Sequence, residues 1–166
     1  DYARDMFLFS FYTRGMSFID MAYLKKSDLK NGIITYRRRK TGQQLTVKWE
    51  KCMEDIIAKY GENTATRYLL PIITNPCSDE RPQYRNAICR INVALKEVAG
   101  LAGLNIPLTM HVARHCWASV AKSKNIPLSV ISEGMGHDSE ETTRIYLASL
   151  DTSVVDKANS LILKDF

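Results

Sequence analysis

His111 and Arg114 stand three residues apart in the run His111-Val112-Ala113-Arg114-His115. On a helix that spacing puts both side chains on one face, aimed at a common ligand. A guanidinium suits paired anionic oxygens such as those of phosphate, and an imidazole can move a proton near neutral pH. An isolated pair of this kind also occurs on any helix with surface basic residues. Downstream, Gly134-Met135-Gly136-His137 sets a second imidazole in a glycine-flanked turn, and Tyr146 follows nine positions after that histidine. By itself Tyr146 would read as a packing residue at the end of a short helix. Upstream, Arg37-Arg38-Arg39-Lys40 is the densest basic run of the chain. It offers cations to a polyanion, although a solvated charged strand would leave the same mark. His115 adjoins the first pair but is expected to point elsewhere on the helix, with a secondary role at most.

Such groups need a scaffold. Phe7, Phe11, Ile19, Met21 and Leu24 suggest two helical stretches within residues 5 to about 26, bent near Gly15. Ser17 followed by Asp20 resembles a capping box that opens the second. Lys30-Asn31-Gly32 is a turn, residues 33–37 read as a strand, 40–43 as a tight connection, and 45–49 as the returning strand. The product is a β-hairpin with Lys40 at its tip. Strand alternation sets Arg37 and Arg39 on one face, Arg38 and Lys40 on the other. A helix is expected from about residue 50 to 60, ended by Gly61, then a short extended piece at 68–71 and a polar loop through Pro76 and Pro82. Residues 84–102 form an amphipathic helix, and three short helices follow over 109–122, 128–134 and 139–147, the last opened by a capping box of Asp138 and Glu141. Residues 151–163 suit one more helix. The fold class is α+β, mainly α with a small antiparallel β-sheet, in a single domain.

Composition narrows the partners. A chain of 166 residues, 45% apolar and 25% charged, can bury a real core, which excludes disordered and collagen-like classes. No apolar run reaches the roughly 18 residues that span a bilayer, so no membrane partner is expected. No basic-then-apolar leader opens the chain, and it begins without Met, so a fragment of a longer protein is expected. The net charge of +5 permits a polyanionic partner without proving one. Cys52, Cys77, Cys89 and Cys116 form no C-x-x-C pair and lie at no zinc-ligand spacing to a histidine. They are expected to be reduced, mostly packing residues in a cytoplasmic protein, with no metal site.

Taken together, these motifs resemble the catalytic domain of the tyrosine recombinase (phage integrase) family. That family carries H-x-x-R, then a glycine-histidine turn, then a tyrosine nucleophile nine residues after the histidine, as His111 to Arg114, Gly136-His137 and Tyr146 do here. It also carries a hairpin lysine followed by Thr-Gly, matched by Arg39-Lys40-Thr41-Gly42. The likeness runs over residues 2–147, almost the whole chain. One position departs. The family's first arginine lies seven residues before a leucine in a Leu-x-x-x-Asp stretch, and counting back from Leu24 lands on Ser17. Arg14 lies three residues earlier. Either Arg14 reaches the phosphate from the preceding loop, which the need for cations on a phosphoryl transition state favours, or Arg14 is structural, Ser17 only caps a helix, and the first arginine is missing.

The resemblance implies strand cleavage without metal or other cofactor. Tyr146 would form a 3′-phosphotyrosyl link, with His111 as general base, Arg114, Arg14 and His137 on the non-bridging oxygens, and Lys40 protonating the departing 5′ oxygen. Arg37, Arg38 and Arg39 would meet the DNA backbone, and a helix holding Arg85, Asn86 and Arg90 could enter the major groove. Implied partners are double-stranded DNA and, in the full-length protein, a homotetramer on paired sites in the bacterial cytoplasm. An N-terminal core-binding domain would be missing, and residues 151–166 would form a tail that packs on a neighbour or on its own core. Rival readings are a type IB topoisomerase, a DNA-binding module without catalysis, and a helix-turn-helix regulator over residues 125–146, which leaves His111, Arg114 and Lys40 unexplained.

Overall fold

Ala3, Met6 and Phe9 recur at helical spacing, and burying them winds the first segment into α1 (Tyr2–Tyr12). This computed structural model describes residues 1–61 and 66–149, so the helix expected over 151–163 lies outside the described residues. The chain leaves α1 through Arg14 and Gly15, both in the left-handed region, with φ of 62° and 74°. Ser17 then caps α2 (Phe18–Ala22), accepting from the Asp20 amide at 3.4 Å. The expected box is only half formed. The Asp20 carboxylate accepts the Ser17 hydroxyl at 2.6 Å instead of reaching back to the Ser17 amide.

The expected hairpin is the larger part of a three-stranded antiparallel sheet, β1 (Leu29–Lys30), β2 (Ile33–Arg37) and β3 (Gln44–Lys48), in that order. Two residues of β1 were too few for sequence periodicity to register. Ile34 pairs with Val47 and Tyr36 with Leu45, so these four side chains share the inner face of the sheet, while Ile33 on the other face is exposed. Tyr68 bridges to Lys25, and the Leu69 amide donates to Leu24 O, which ties the extended 68–71 segment to the end of α2 rather than to the sheet.

After α3 (Lys51–Tyr60), α4 (Glu80–Leu101) begins four residues before the expected start at 84. Asp79 caps it through the Arg81 amide at 3.1 Å. Pro82 falls in the first turn, where amides have no helical acceptor, so it is tolerated inside the helix instead of marking a loop. The last third holds α5 (Met110–Ser123), α6 (Leu128–Met135) and α7 (Glu140–Ser149). Ser139, not the expected Asp138–Glu141 box, caps α7, through the Thr142 amide at 3.2 Å.

Two apolar clusters form. The larger joins α1 to α4 with the sheet and the start of α5, around Met6, Phe9, Ile34, Leu70, Ile91 and Leu95. The smaller gathers Ala118, Ala121, Ile131, Met135 and Leu147, with Trp117 and Tyr146 against it. α5 runs from one cluster to the other, and Arg114 lies at the seam. All four cysteines are free, but only Cys52 and Cys116 are partly buried; Cys77 and Cys89 are exposed, so half of them do not pack as expected. No described helix is long and apolar enough to cross a membrane.

Candidate active site

Arg114 is only 7% exposed because α1 and α5 approach closely at Gly15. A Cβ on Gly15 would fall 2.7 Å from Arg114 Cα, so only glycine fits. The Arg114 guanidinium donates to Gly15 O at 2.9 Å and to Met135 O at 2.7 Å, and its Nη2 lies 3.1 Å from His137 Nε2. An arginine has no acceptor, so His137 Nε2 must accept. The ring proton therefore sits on Nδ1, which donates to the buried Thr143 hydroxyl at 2.7 Å. Burial first, then the charges of Arg114, Arg38 and Lys40, hold the His137 pKa down at about 4, leaving the ring neutral.

Gly136 ends α6 in the left-handed conformation, and a Cβ there would collide with Leu45 of β3 at 2.8 Å. The sheet thus packs directly on the His137 turn. Across this contact Arg38 donates to Gly136 O at 2.6 Å. Arg38 was expected among the exposed arginines that meet DNA backbone, yet it is 8% exposed and turned into the site. A local chain of bonds explains the turn. The Ser17 hydroxyl holds one oxygen of Asp20, and the other accepts the Arg39 amide at 2.9 Å, which pins the strand where Arg38 enters. The hairpin closes beside it through Arg38 N to Gln43 O and Gly42 N to Arg38 O.

Neither Arg38 nor Arg114 forms an ion pair among the described residues; Arg38 donates to a carbonyl oxygen, and Arg114 to two carbonyl oxygens and His137 Nε2. Burial and the charge of Arg38 lower the Arg114 pKa to about 10, still cationic at neutral pH. Tyr146 projects from α7 beside them. Its ring stacks on His115 with centroids 5.1 Å apart and 20° between planes, and meets His137 edge-on at 5.5 Å. Burial pushes the Tyr146 hydroxyl up to about 12, while Arg114 and Arg38 pull it down. His111 is exposed at the rim, its ring centroid 4.4 Å from that of His115, and desolvation with the charges of Arg114 and Lys40 lowers its pKa. Lys40 is exposed at the hairpin tip, and its charge reaches both His111 and His137.

The structure brings Lys40, His111, Arg114, His137 and Tyr146 together and adds Arg38 and His115. Arg14 is half-buried beside α6, its Cδ 3.7 Å from where a Cβ on Gly134 would lie, and its charge bears on Tyr36. The charge of Arg38, unlike that of Arg14, is among those that bear on Arg114, His137 and Tyr146. His115 was expected to point away, and it stacks on the tyrosine instead. Alternation had already placed Arg38 on the same face as Lys40, and the four-residue spacing of His111 and His115 marked a shared helix face. Neither signal reached Tyr146, which lies far along the chain. Arg37 and Arg39 stay exposed, Arg37 bonded to Gly42 O and Arg39 3.8 Å over the Tyr23 ring. Arg85 and Arg90 are exposed but about 140° apart on α4 at 100° per residue. Arg85 borders a hollow with Arg81 and Asn86, whereas Arg90 lines a groove with Tyr2 and Pro71.

The chain matches the phage integrase family over residues 2–153. It is 28% identical over 144 residues to tyrosine recombinase XerC of Thermodesulfovibrio yellowstonii, covering 82% of this chain and 46% of the relative. The chain thus spans about half the length of that curated relative. Among solved structures, XerA recombinase superposes with a TM-score of 0.64 at 20% identity, over 96% of this chain and 60% of XerA. A post-cleavage complex of XerH site-specific recombinase with palindromic difH superposes with a TM-score of 0.66 at 20% identity, over 95% and 45%. A lambda integrase dimer bound to a COC′ core site gives 0.60 at 19%, over 88% and 52%.

Proposed function

The chain belongs to the phage integrase family, and on that footing we propose that it is the catalytic part of a site-specific DNA recombinase. It cleaves and rejoins double-stranded DNA through a 3′-phosphotyrosyl link on Tyr146. The pair Arg38 and Arg114 carries this reading. Two buried guanidiniums bonded to carbonyls, with no ion-paired carboxylate among the described residues and only the charge of Asp20 acting on Arg114 from beyond ion-pair distance, leave net positive charge beside a tyrosine. Burying unmatched charge is unfavourable, and an anion entering between them removes the penalty. A phosphodiester is such an anion.

Tyr146 Oη attacks the scissile phosphorus, a P–O bond to tyrosine forms, and the bond to the 5′ oxygen breaks. The tyrosine proton passes to His111, and Lys40 protonates the departing 5′ oxygen. Arg114 and Arg38 bind the non-bridging oxygens, Arg38 in the role expected of Arg14. His137 joins them once the phosphate charge favours its protonation. The covalent link stores the bond until a 5′-hydroxyl attacks in reverse. Three cations supply the charge stabilisation, so the chemistry proceeds without metal. Arg37 and Arg39, exposed on the outer face, meet the DNA backbone, and the full-length protein works as a tetramer on two duplexes in the cytoplasm.

A nicked suicide substrate carrying the target site tests this. A covalent protein–DNA adduct that disappears in Tyr146→Phe is expected. Binding without adduct would indicate an inert module, and relaxation of supercoiled DNA lacking any target site would indicate a topoisomerase.

A further inference from the structure

Tyr146 lies on a helix that packs chiefly on α6, whereas Arg114 lies on α5. The nucleophile must be registered against a phosphate held by a different helix. The near-parallel stack of His115 on Tyr146, with ring centroids 5.1 Å apart, is a direct tie between α5 and α7, one residue along from Arg114. We infer that His115 is a positioning residue, whose ring holds Tyr146 at the angle from which its hydroxyl attacks; this rests on Tyr146 being the nucleophile.

His115 is itself held. The His111 ring stands perpendicular to it at 4.4 Å, one helical turn back on the same face. Tyr146 is also met by the His137 edge, so two rings from two elements limit its rotation. Near-parallel planes direct the tyrosine hydroxyl past the imidazole rather than toward a ring nitrogen, which suits support and not proton transfer. His115 Nδ1 is buried and finds no hydrogen-bond partner among the described residues. The ring is therefore not fixed there by a polar contact at that nitrogen, and its flat face is what it offers.

The test compares the chain with His115→Leu and His115→Phe, measuring adduct formation on the suicide substrate, DNA affinity and melting temperature. Leucine keeps the bulk and loses the flat face, so adduct formation slows about tenfold, the scale of an aromatic pair, while affinity and melting hold. Phenylalanine restores the rate. If leucine lowers the melting temperature, His115→Gln replaces it as the non-aromatic variant. A non-aromatic variant as fast as wild type, or a phenylalanine variant as slow as leucine, overturns the inference. An independent readout is the NMR shift of the Tyr146 ring protons, which the His115 ring current moves and leucine releases. Absence of adduct in the wild type sinks the recombinase reading, and the NMR shift then still decides whether the stack exists.

Discussion

The Arg38 guanidinium donates to the carbonyl of Gly136 across 98 residues of sequence, at 2.6 Å. That bond joins the hairpin to the turn carrying His137 and places a buried cation beside Arg114. Ser17, at the position expected to hold an arginine, serves this arrangement indirectly by holding Asp20, which in turn holds the Arg39 amide. The cation thus enters from the sheet rather than from α2.

Arg38→Ala should slow adduct formation by roughly 10²–10³, the loss typical of one transition-state contact. Arg14→Ala should stay within about threefold of wild type, since Arg14 lies against α6. Circular dichroism melting of both variants separates rate from stability. An Arg14→Ala defect as deep as that of Arg38→Ala would return the role to Arg14.

Lys40→Ala should cleave ordinary DNA poorly and recover on a substrate whose 5′-bridging oxygen is sulfur. A thiolate leaves without a proton, because thiols have a pKa of about 8.5, far below that of alcohols. Failure of sulfur to restore the rate would remove Lys40 as the proton donor.

Histidine 137 should couple DNA binding to proton uptake. In the free chain its pKa lies at about 4, pressed down by burial and three cations. A phosphate neutralises those cations, so the pKa rises on binding and protons are taken up near pH 6. Calorimetry in two buffers of different ionisation enthalpy measures the uptake, which should vanish in His137→Gln. Stability has a matching sign. The unfolded ring protonates first as pH falls below about 6.5, so stability present above that pH is lost between there and about 4.

Gly15→Ala should destabilise the fold by about 1–3 kcal/mol through overpacking against Arg114, with added strain from the positive φ. Urea denaturation measures it. An unchanged midpoint would mean that α1 and α5 can separate without loss.

Much of this protein was legible in order along the chain. Helical and alternating periods gave the elements, because burying one face of each dictates those periods. Errors fell where local chemistry competes with pattern: Pro82 sits in a first turn, Ser139 outbids Asp138 as a cap, and β1 is two residues long. Lys40, His111, Arg114, His137 and Tyr146 stood out in the sequence only as a set, through their likeness to the family's pattern, because each taken alone also suits a solvated or packing residue.

What sequence alone determined was therefore the inventory of reactive groups and the elements that bear them. Tertiary structure decided their company. Whether Arg38 faces water or Arg114, and whether His115 meets solvent or Tyr146, depends on contacts between segments far apart in the chain: sheet against the Gly136 turn, α7 near α5. Those contacts are fixed by packing of whole elements around two apolar clusters, and no spacing along one helix or strand contains that information.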